Sequence, residues 1–256
     1  MKEREIEKCL KQYSDNQHSI SLFCESVAQF FRSHPRLTAT DPVIHSVKHR
    51  LKNADHLRAK LRRKAAAGER VEPDAFFQQV TDLAGVRVLH LHQGQYRQIH
   101  DVIQEQLQRG DWATLEEPKA YTWDPEARDF FESLGLSTAV KETHYTSVHF
   151  VVKPRADAKW CCEIQVRTLF EEIWGEIDHS INYPEPSEIL ACREQLRVLS
   201  KLVGAGSRLA DAIFRSHGEA AGQPPARYTH PAVPVIRVAD KKATRGGAPA
   251  RAKRKR

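Results

Sequence analysis

Four short stretches of this sequence bring together side chains that can neutralise phosphate, hold a hard cation or stack on a ring. Between residues 48 and 64, Lys48, Arg50, Lys52, Arg58, Lys60, Arg62, Arg63 and Lys64 are opposed only by Asp55. Charges of one sign at this density repel one another, and an anionic partner relieves them. TDLAGVRV (81–88) sets Asp82 and Arg87 at the entrance and in the middle of a valine-rich run. HYTSVHF (144–150) carries Tyr145, Ser147 and His149 at every second position, and CCEIQVRT (161–168) does the same with Glu163, Gln165 and Arg167. On a strand, residues two apart share a face. Were the last two stretches to pair, one face would present a Tyr, a Ser, a His, a Glu, a Gln and an Arg together. Such a surface is unfavourable to bury without a ligand.

This inventory suits phosphoryl-type transfer, in which catalysis rests on positioning and charge neutralisation. Asp82 and Glu163 are candidate Mg2+ ligands, because that ion favours oxygen donors and keeps waters and substrate phosphates. The lysines and arginines can neutralise a triphosphate, while Tyr145 or an arginine can stack on a base. The sequence has no Walker GxxxxGK[ST] loop and no GxGxxG, which argues against the common ATP-binding folds. His100 and Asp101 form the HD pair found in metal-dependent phosphohydrolases. They lie in the amphipathic helical pattern YRQIHDVIQEQ without an upstream histidine motif, so no hydrolase site is expected there.

Each stretch also has a plainer reading. A cationic run is often a solvated helix face. An Asp ahead of a glycine-containing strand is often a cap or turn residue. Alternating polar residues can simply mark the wet side of a half-buried sheet. What favours the chemical reading is the occurrence of all four together.

The elements that must position these residues follow from periodicity. Residues 1–33 have apolar positions at helical spacing, including Ile20, Phe23, Val27, Phe30 and Phe31, and stop before Pro35, predicting two helices or one broken helix. Residues 43–66 are read as a further helix, with Val43, Val47, Leu51, Leu57 and Leu61 on one side. In that reading Lys48, Lys52, His56, Lys60 and Lys64 form a row four residues apart. Residues 84–91 read as a strand and 94–109 as a helix ending near Gly110. Residues 146–152 and 160–166 read as a hairpin. The stretch 112–140 is ambiguous apart from a helix at 125–133, and helices return from Leu169 to about Ser216, interrupted near Pro184 and Pro186. The expected fold is α+β, a mixed β-sheet flanked by helices. The expected divisions are an N-terminal helical region 1–42, a core 43–186, a helical region 187–217 and a flexible basic tail 218–256.

The formal charge of +7 belongs to that tail, since residues 241–256 hold eight Lys or Arg and no acid. The remainder carries 32 basic against 33 acidic residues, so the high isoelectric point says little about the folded part. Five cysteines, an odd number without CxxC spacing, and no signal-like start fit a reducing cytoplasm. No apolar run reaches the roughly 20 residues that span a bilayer.

In their order and spacing the motifs resemble the RelA/SpoT synthetase domain over residues 43–183. RLKNADHLRAKLRRK is similar to the family's Arg-x-Lys…Lys segment and TDLAGVRV to its Asp-(Leu/Ile)-Ala-Gly-(Ile/Val)-Arg strand. KETHYTSVH is similar to Lys-x-Asn-Gly-Tyr-x-Ser-x-His and EIQVRT to Glu-Ile-Gln-(Ile/Val)-Arg-Thr. The resemblance implies a nucleotidyltransferase-like fold and a (p)ppGpp synthetase that moves the β,γ-pyrophosphate of ATP to the ribose 3'-hydroxyl of GTP or GDP. It implies that Arg50 and Arg87 sandwich adenine, Lys52 and Lys60 hold the ATP phosphates, and Asp82 and Glu163 coordinate Mg2+, Glu163 also accepting the 3'-hydroxyl proton. Tyr145 would stack on the acceptor base, with Lys141, Ser147, His149, Gln165 and Arg167 lining the acceptor side.

This sequence departs from the pattern at four places. Thr143 and His144 replace the Asn-Gly before the tyrosine, His56 stands where Ser is frequent, and Ala59 stands where an Arg often precedes the second lysine. These changes bear on acceptor identity. At 256 residues the chain is short for a member that also carries a hydrolase domain and ribosome-sensing regions, so a small alarmone synthetase is expected. By resemblance it would form a homo-oligomer, with 187–217 as the assembly surface. Two alternatives stay open: a toxic relative that pyrophosphorylates adenine nucleotides or the tRNA 3' end, and a non-catalytic RNA-binding regulator. The basic tail would suit RNA contact in either.

Overall fold

The computed structural model describes residues 1–39, 41–141, 143–183 and 186–220. The expected basic tail from 218 lies almost wholly outside them. Among the described residues, no helix is long and apolar enough to cross a membrane.

A mixed seven-stranded sheet is built from β1 (Ser46–Leu51), β2 (Ala84–His90), β3 (Ala113–Thr114), β4 (Lys119–Tyr121), β5 (Ser137–Ala139), β6 (Ser147–Lys153) and β7 (Cys162–Thr168). Its spatial order is β1-β2-β7-β6-β4-β5, and β3 also pairs with β6. The expected hairpin is present as antiparallel β6 and β7, while β2 and β7 run parallel. The helices are α1 (Glu3–Ser33), α2 (Ala54–Ala66), the short α3 (Phe76–Gln79), α4 (Tyr96–Arg109), α5 (Pro125–Ser133), α6 (Leu169–Asn182) and α7 (Leu190–Ala220). The α+β expectation holds.

One expectation fails in an informative way. Residues 43–66 are not one helix, because β1 occupies 46–51 and α2 starts only at Ala54. Val43, Val47 and Leu51 are four apart, and four is a multiple of the strand's two-residue period as well as close to a helical turn. The switch is made by Asn53, whose side-chain oxygen accepts from the Asp55 and His56 backbone amides at 2.7 and 3.4 Å. The row Lys48, Lys52, His56 and Lys60 therefore does not exist as a helical stripe. Residues 3–33 form one unbroken helix rather than two. The ambiguous 112–140 stretch holds three very short strands, too brief for a period to register.

The sheet has two unlike faces. Val86, Val88, Ile164, Val166, Val148, Phe150 and Val152 share one face and are buried. Against it lie Ile6, Cys9, Tyr13, Phe23, Val27 and Phe31 of α1 and Ile99, Val102 and Ile103 of α4, all in the same core. Removing this apolar area from water, at about 25 cal/mol per Å2, is what holds the layers together. His100 of the HD pair is buried beside Phe150 and Tyr96, as a core residue would be. The opposite face is polar, and α6 crosses it.

Candidate active site

Register sets the polar face. Arg50 of β1 stands opposite Gly85 of β2, and Gly85 opposite Glu163 of β7. One step along, Lys48, Arg87, Gln165 and His149 align across four strands. Side chains of residues paired in this way emerge on the same side of the sheet. All of these except His149, together with Lys52, His56, Asp82, His179 and Tyr183, line a cleft of about 500 Å3. Its floor is Gly85, which leaves room between Arg50 and Glu163. Backbone anchors fix the rim: Tyr13 Oη donates to the Lys52 carbonyl at 2.7 Å, and the Lys52 amide donates to the Leu83 carbonyl at 2.8 Å.

Asp82 and Glu163 both face this cleft, each in its own cradle. Lys52 Nζ is 2.9 Å from Asp82 Oδ2, and Lys60 Nζ is 2.8 Å from Oδ1. Burial pushes the Asp82 carboxyl up, but the two lysines outweigh it and hold it at about 2. His149 Nδ1 is 2.9 Å from Glu163 Oε1, and Gln165 Nε2 donates to Oε2 at 2.7 Å. Burial again opposes ionisation, yet the hydrogen bond and charge of His149 keep Glu163 below the usual carboxylate range; the nearby Asp82 charge raises it somewhat. Two ionised carboxylates thus meet at one cleft.

The expected acceptor residues gather on the other side of Glu163. Tyr145 Oη lies 3.0 Å from His149 Nε2. Lys141 Nζ sits 4.6 Å from the Tyr145 ring centre and 4.0 Å from that of Tyr121. Burial pulls Lys141 below its ordinary range, while Glu163 pushes it back up. The Arg167 guanidinium lies 5.4 Å from the Tyr145 ring, and its Nη2 donates to Gln165 Oε1 at 2.5 Å. Ser147 differs from expectation in being buried, its Oγ turned to the Val166 carbonyl at 3.4 Å. It braces the hairpin more than it faces a ligand.

Sequence reasoning missed Glu172 of α6. Its buried carboxylate receives Lys48 at 3.1 Å, Arg87 at 3.2 Å and Arg167 at 3.4 Å, and Arg87 also pairs with Glu176. These contacts tie both halves of the site to one helix. The signal available was FEEIWGEI, where Glu172 and Glu176 are one turn apart. The outward cations of α2 follow the plainer reading: Arg58 and Arg62 pair with Glu7 and Glu3 of α1, and Lys64 with Glu69.

Among the described residues no cluster of three or more acidic, His or Cys ligands exists. Mg2+ needs only one or two carboxylates when substrate phosphates and waters complete its shell. Asp82 Oδ1 is buried and takes no hydrogen bond among the described residues, although Lys60 stands beside it, so one ionised oxygen retains coordinating capacity. The donor set fits a hard cation.

The family described as the region found in RelA / SpoT proteins matches residues 49–188. No curated protein matches the chain. Among solved structures, small alarmone synthetase 1 from Bacillus subtilis superposes with a TM-score of 0.60 at 19% identity, covering 82% of this chain and 98% of that one. The same protein bound to its product pppGpp gives 0.59 at 22% identity, over 82% and 99%. A GTP pyrophosphokinase family protein from Streptococcus pneumoniae gives 0.58 at 18%, over 82% and 94%. At these identities the superpositions establish a shared fold. With more than half of its 256 residues inside the family match, the chain belongs to the family defined by the region found in RelA and SpoT proteins.

Proposed function

We propose that this protein is a pyrophosphokinase that transfers the β,γ-pyrophosphate of ATP to the ribose 3'-hydroxyl of GTP or GDP. The observation that carries the reading is the meeting of ionised Asp82 and Glu163 at a cleft lined by Arg50, Lys52 and Arg87, with Lys60 paired to Asp82. Family membership and the fold shared with a synthetase bound to pppGpp support it.

In this reading Arg50 and Arg87 hold adenine between them, and Lys52 and Lys60 turn from Asp82 toward the triphosphate. A cation such as Mg2+, held by Asp82 and Glu163, would neutralise charge on the phosphates. The acceptor base stacks on Tyr145, flanked by Lys141 and Arg167, and its 3'-oxygen is directed at the β-phosphorus. A bond forms from that oxygen to the β-phosphorus, the bond to the bridging oxygen breaks, and AMP leaves. Glu163, ionised and hydrogen-bonded to His149, takes the proton that the 3'-hydroxyl gives up as the bond forms.

Purified protein incubated with ATP labelled in its β and γ phosphates and with GTP, GDP, ATP or tRNA tests this directly. Label should appear in a 3'-pyrophosphorylated guanine nucleotide and be lost in Asp82→Ala and Glu163→Ala. Label found only in an adenine nucleotide or in tRNA would refute the acceptor assignment, and no label in any acceptor would refute the transferase.

A further inference from the structure

Tyr145 is preceded by a residue with an unusual backbone. His144 has φ 61°, in the left-handed region that residues other than glycine seldom adopt. Its amide donates to the Lys141 carbonyl at 2.9 Å, closing the turn that carries Lys141 and Tyr145. What offsets the strained backbone is a dock for the ring. The His144 imidazole stacks on Trp123 with ring centres 5.4 Å apart and planes 21° apart. Its Nδ1 lies 3.2 Å from Ser200 Oγ of α7. The Ser200 hydroxyl donates its proton to the Arg197 carbonyl at 2.8 Å, so it accepts from His144, and Nδ1 must carry the proton.

The receiving surface is shaped for this contact. Ser200 is buried, and Gly204, one turn on, lets Trp123 approach so closely that a Cβ there would stand 3.1 Å from its Cζ2. Trp174, whose ring lies 6.3 Å from that of Tyr145, donates its Nε1 hydrogen to the Leu196 carbonyl of the same helix at 2.9 Å. Both sides of Tyr145 are thus braced on the 196–204 segment of α7.

We propose that His144 is a positioning residue for the acceptor site: docked between Trp123 and Ser200, it locks the backbone at His144 and Tyr145 onto α7 and sets the Tyr145 ring for the acceptor base. The inference rests on the pyrophosphokinase reading above. His144 does not touch the reacting atoms; it acts through Tyr145, and α7 becomes a lever on acceptor affinity.

His144→Gly is the central test. Glycine is the residue least strained at this φ, so the variant is expected to fold. It loses both the stack and the hydrogen bond. The expected result is a roughly five-fold or greater rise in KM for the guanine acceptor, the scale of one lost hydrogen bond, with KM for ATP unchanged. Ser200→Ala should move acceptor KM the same way, and His144→Gly with Ser200→Ala should be no worse than His144→Gly alone. His144→Asn tolerates the same backbone and keeps a polar δ atom for Ser200, so it should recover part of the loss. Independently of any activity, amide exchange at residues 143–146 should accelerate in His144→Gly.

Unchanged acceptor KM and unchanged exchange in His144→Gly would overturn the proposal while leaving the transferase intact. Equal losses in acceptor KM, ATP KM and kcat would overturn it too, as the mark of a general structural role. If the unaltered protein transfers label to nothing, the pyrophosphokinase reading falls. In that case the exchange measurement still decides whether His144 holds the turn.

Discussion

His149 and Glu163, on neighbouring antiparallel strands, are joined Nδ1 to Oε1 at 2.9 Å. An ionised carboxylate can only accept, so Nδ1 carries the hydrogen of this contact, and Tyr145 Oη lies 3.0 Å from Nε2 on the other side of the ring. The chain Tyr145–His149–Glu163 thus connects the proposed acceptor platform to the proposed metal ligand. His149→Ala removes the largest contributions that hold Glu163 down and leaves the Gln165 hydrogen bond alone against burial and the Asp82 charge. Glu163 would then protonate at a higher pH than in the unaltered protein. The acid limb of the pH–rate profile should move to higher pH, a shift read from kcat/KM between pH 4 and 8. An unmoved acid limb would separate Glu163 ionisation from the reaction.

Asp82 gives a stability prediction with a defined sign. Its folded-state carboxyl is held at about 2 against an ordinary 3.8. A depressed carboxylate stabilises the fold above its unfolded pKa, and the contribution is lost as pH falls toward the folded value. Asp82→Asn should therefore lower unfolding free energy at pH 7 by roughly 2 kcal/mol, an upper figure for a shift of this size. The gap should shrink below about pH 4 and close near pH 2. Denaturant titrations of both proteins across that range check it, and a gap independent of pH would deny the two-lysine clasp.

Glu172 should matter more for stability than its silence in the sequence suggests. Removing it leaves Arg167, 4% exposed, without its carboxylate partner in the interior. Breaking a buried ion pair from one side costs about 3–5 kcal/mol. Glu172→Ala should show such a loss by denaturant unfolding, with weaker ATP binding as Arg87 and Lys48 lose their common anchor. Wild-type stability would mean that water replaces the carboxylate.

Much of this site was legible because its residues alternate on strands. Asp82, Arg87, Glu163, Gln165 and Arg167 can be read in order from two runs, and the parallel register of β2 on β7 sets Arg87 beside Gln165 and Gly85 beside Glu163. Lys52 and Lys60 were expected by resemblance to hold phosphates, but their pairing with Asp82 was not legible. Their convergence depends on the break at Asn53, which the four-residue spacing of Val43, Val47 and Leu51 concealed. Glu172 was hidden for a different reason: two of its partners, Lys48 of β1 and Arg87 of β2, lie 124 and 85 residues away, and no local pattern announces such contacts. His144 and Ser200 are alike in this. The His144 departure was visible; the helix that accommodates it was not.

Tyr145 can be divided into ring and hydroxyl. Base–aromatic stacking is worth about 1–3 kcal/mol by alanine substitution, so Tyr145→Ala should raise acceptor KM by roughly 5- to 150-fold. Tyr145→Phe keeps the ring and loses only the bond to His149 Nε2. It should cost about 1 kcal/mol, close to five-fold, and more in kcat than in KM. Steady-state kinetics with varied acceptor at saturating ATP distinguish the two. Equal effects would place the hydroxyl, and not the stack, at the centre of acceptor recognition.

Gly85 separates the fold from the function. Its backbone does not adopt the left-handed region, and an added Cβ would meet nothing nearer than the Glu163 carbonyl oxygen at 3.9 Å, an ordinary contact. Replacing a glycine whose conformation any residue can adopt stabilises by about 0.4–1 kcal/mol, because the unfolded chain has less freedom to lose. A β-branched side chain also favours a strand. Gly85→Val should therefore melt at or above the temperature of the unaltered protein. The same methyl groups would stand on the cleft floor between Arg50 and Glu163, where the register places them, and should exclude the nucleotide. A more stable protein that no longer binds ATP in calorimetric titration is the expected outcome. If Gly85→Val binds ATP as tightly as before, the nucleotide does not enter between β1 and β7, and the cleft is not where the donor sits.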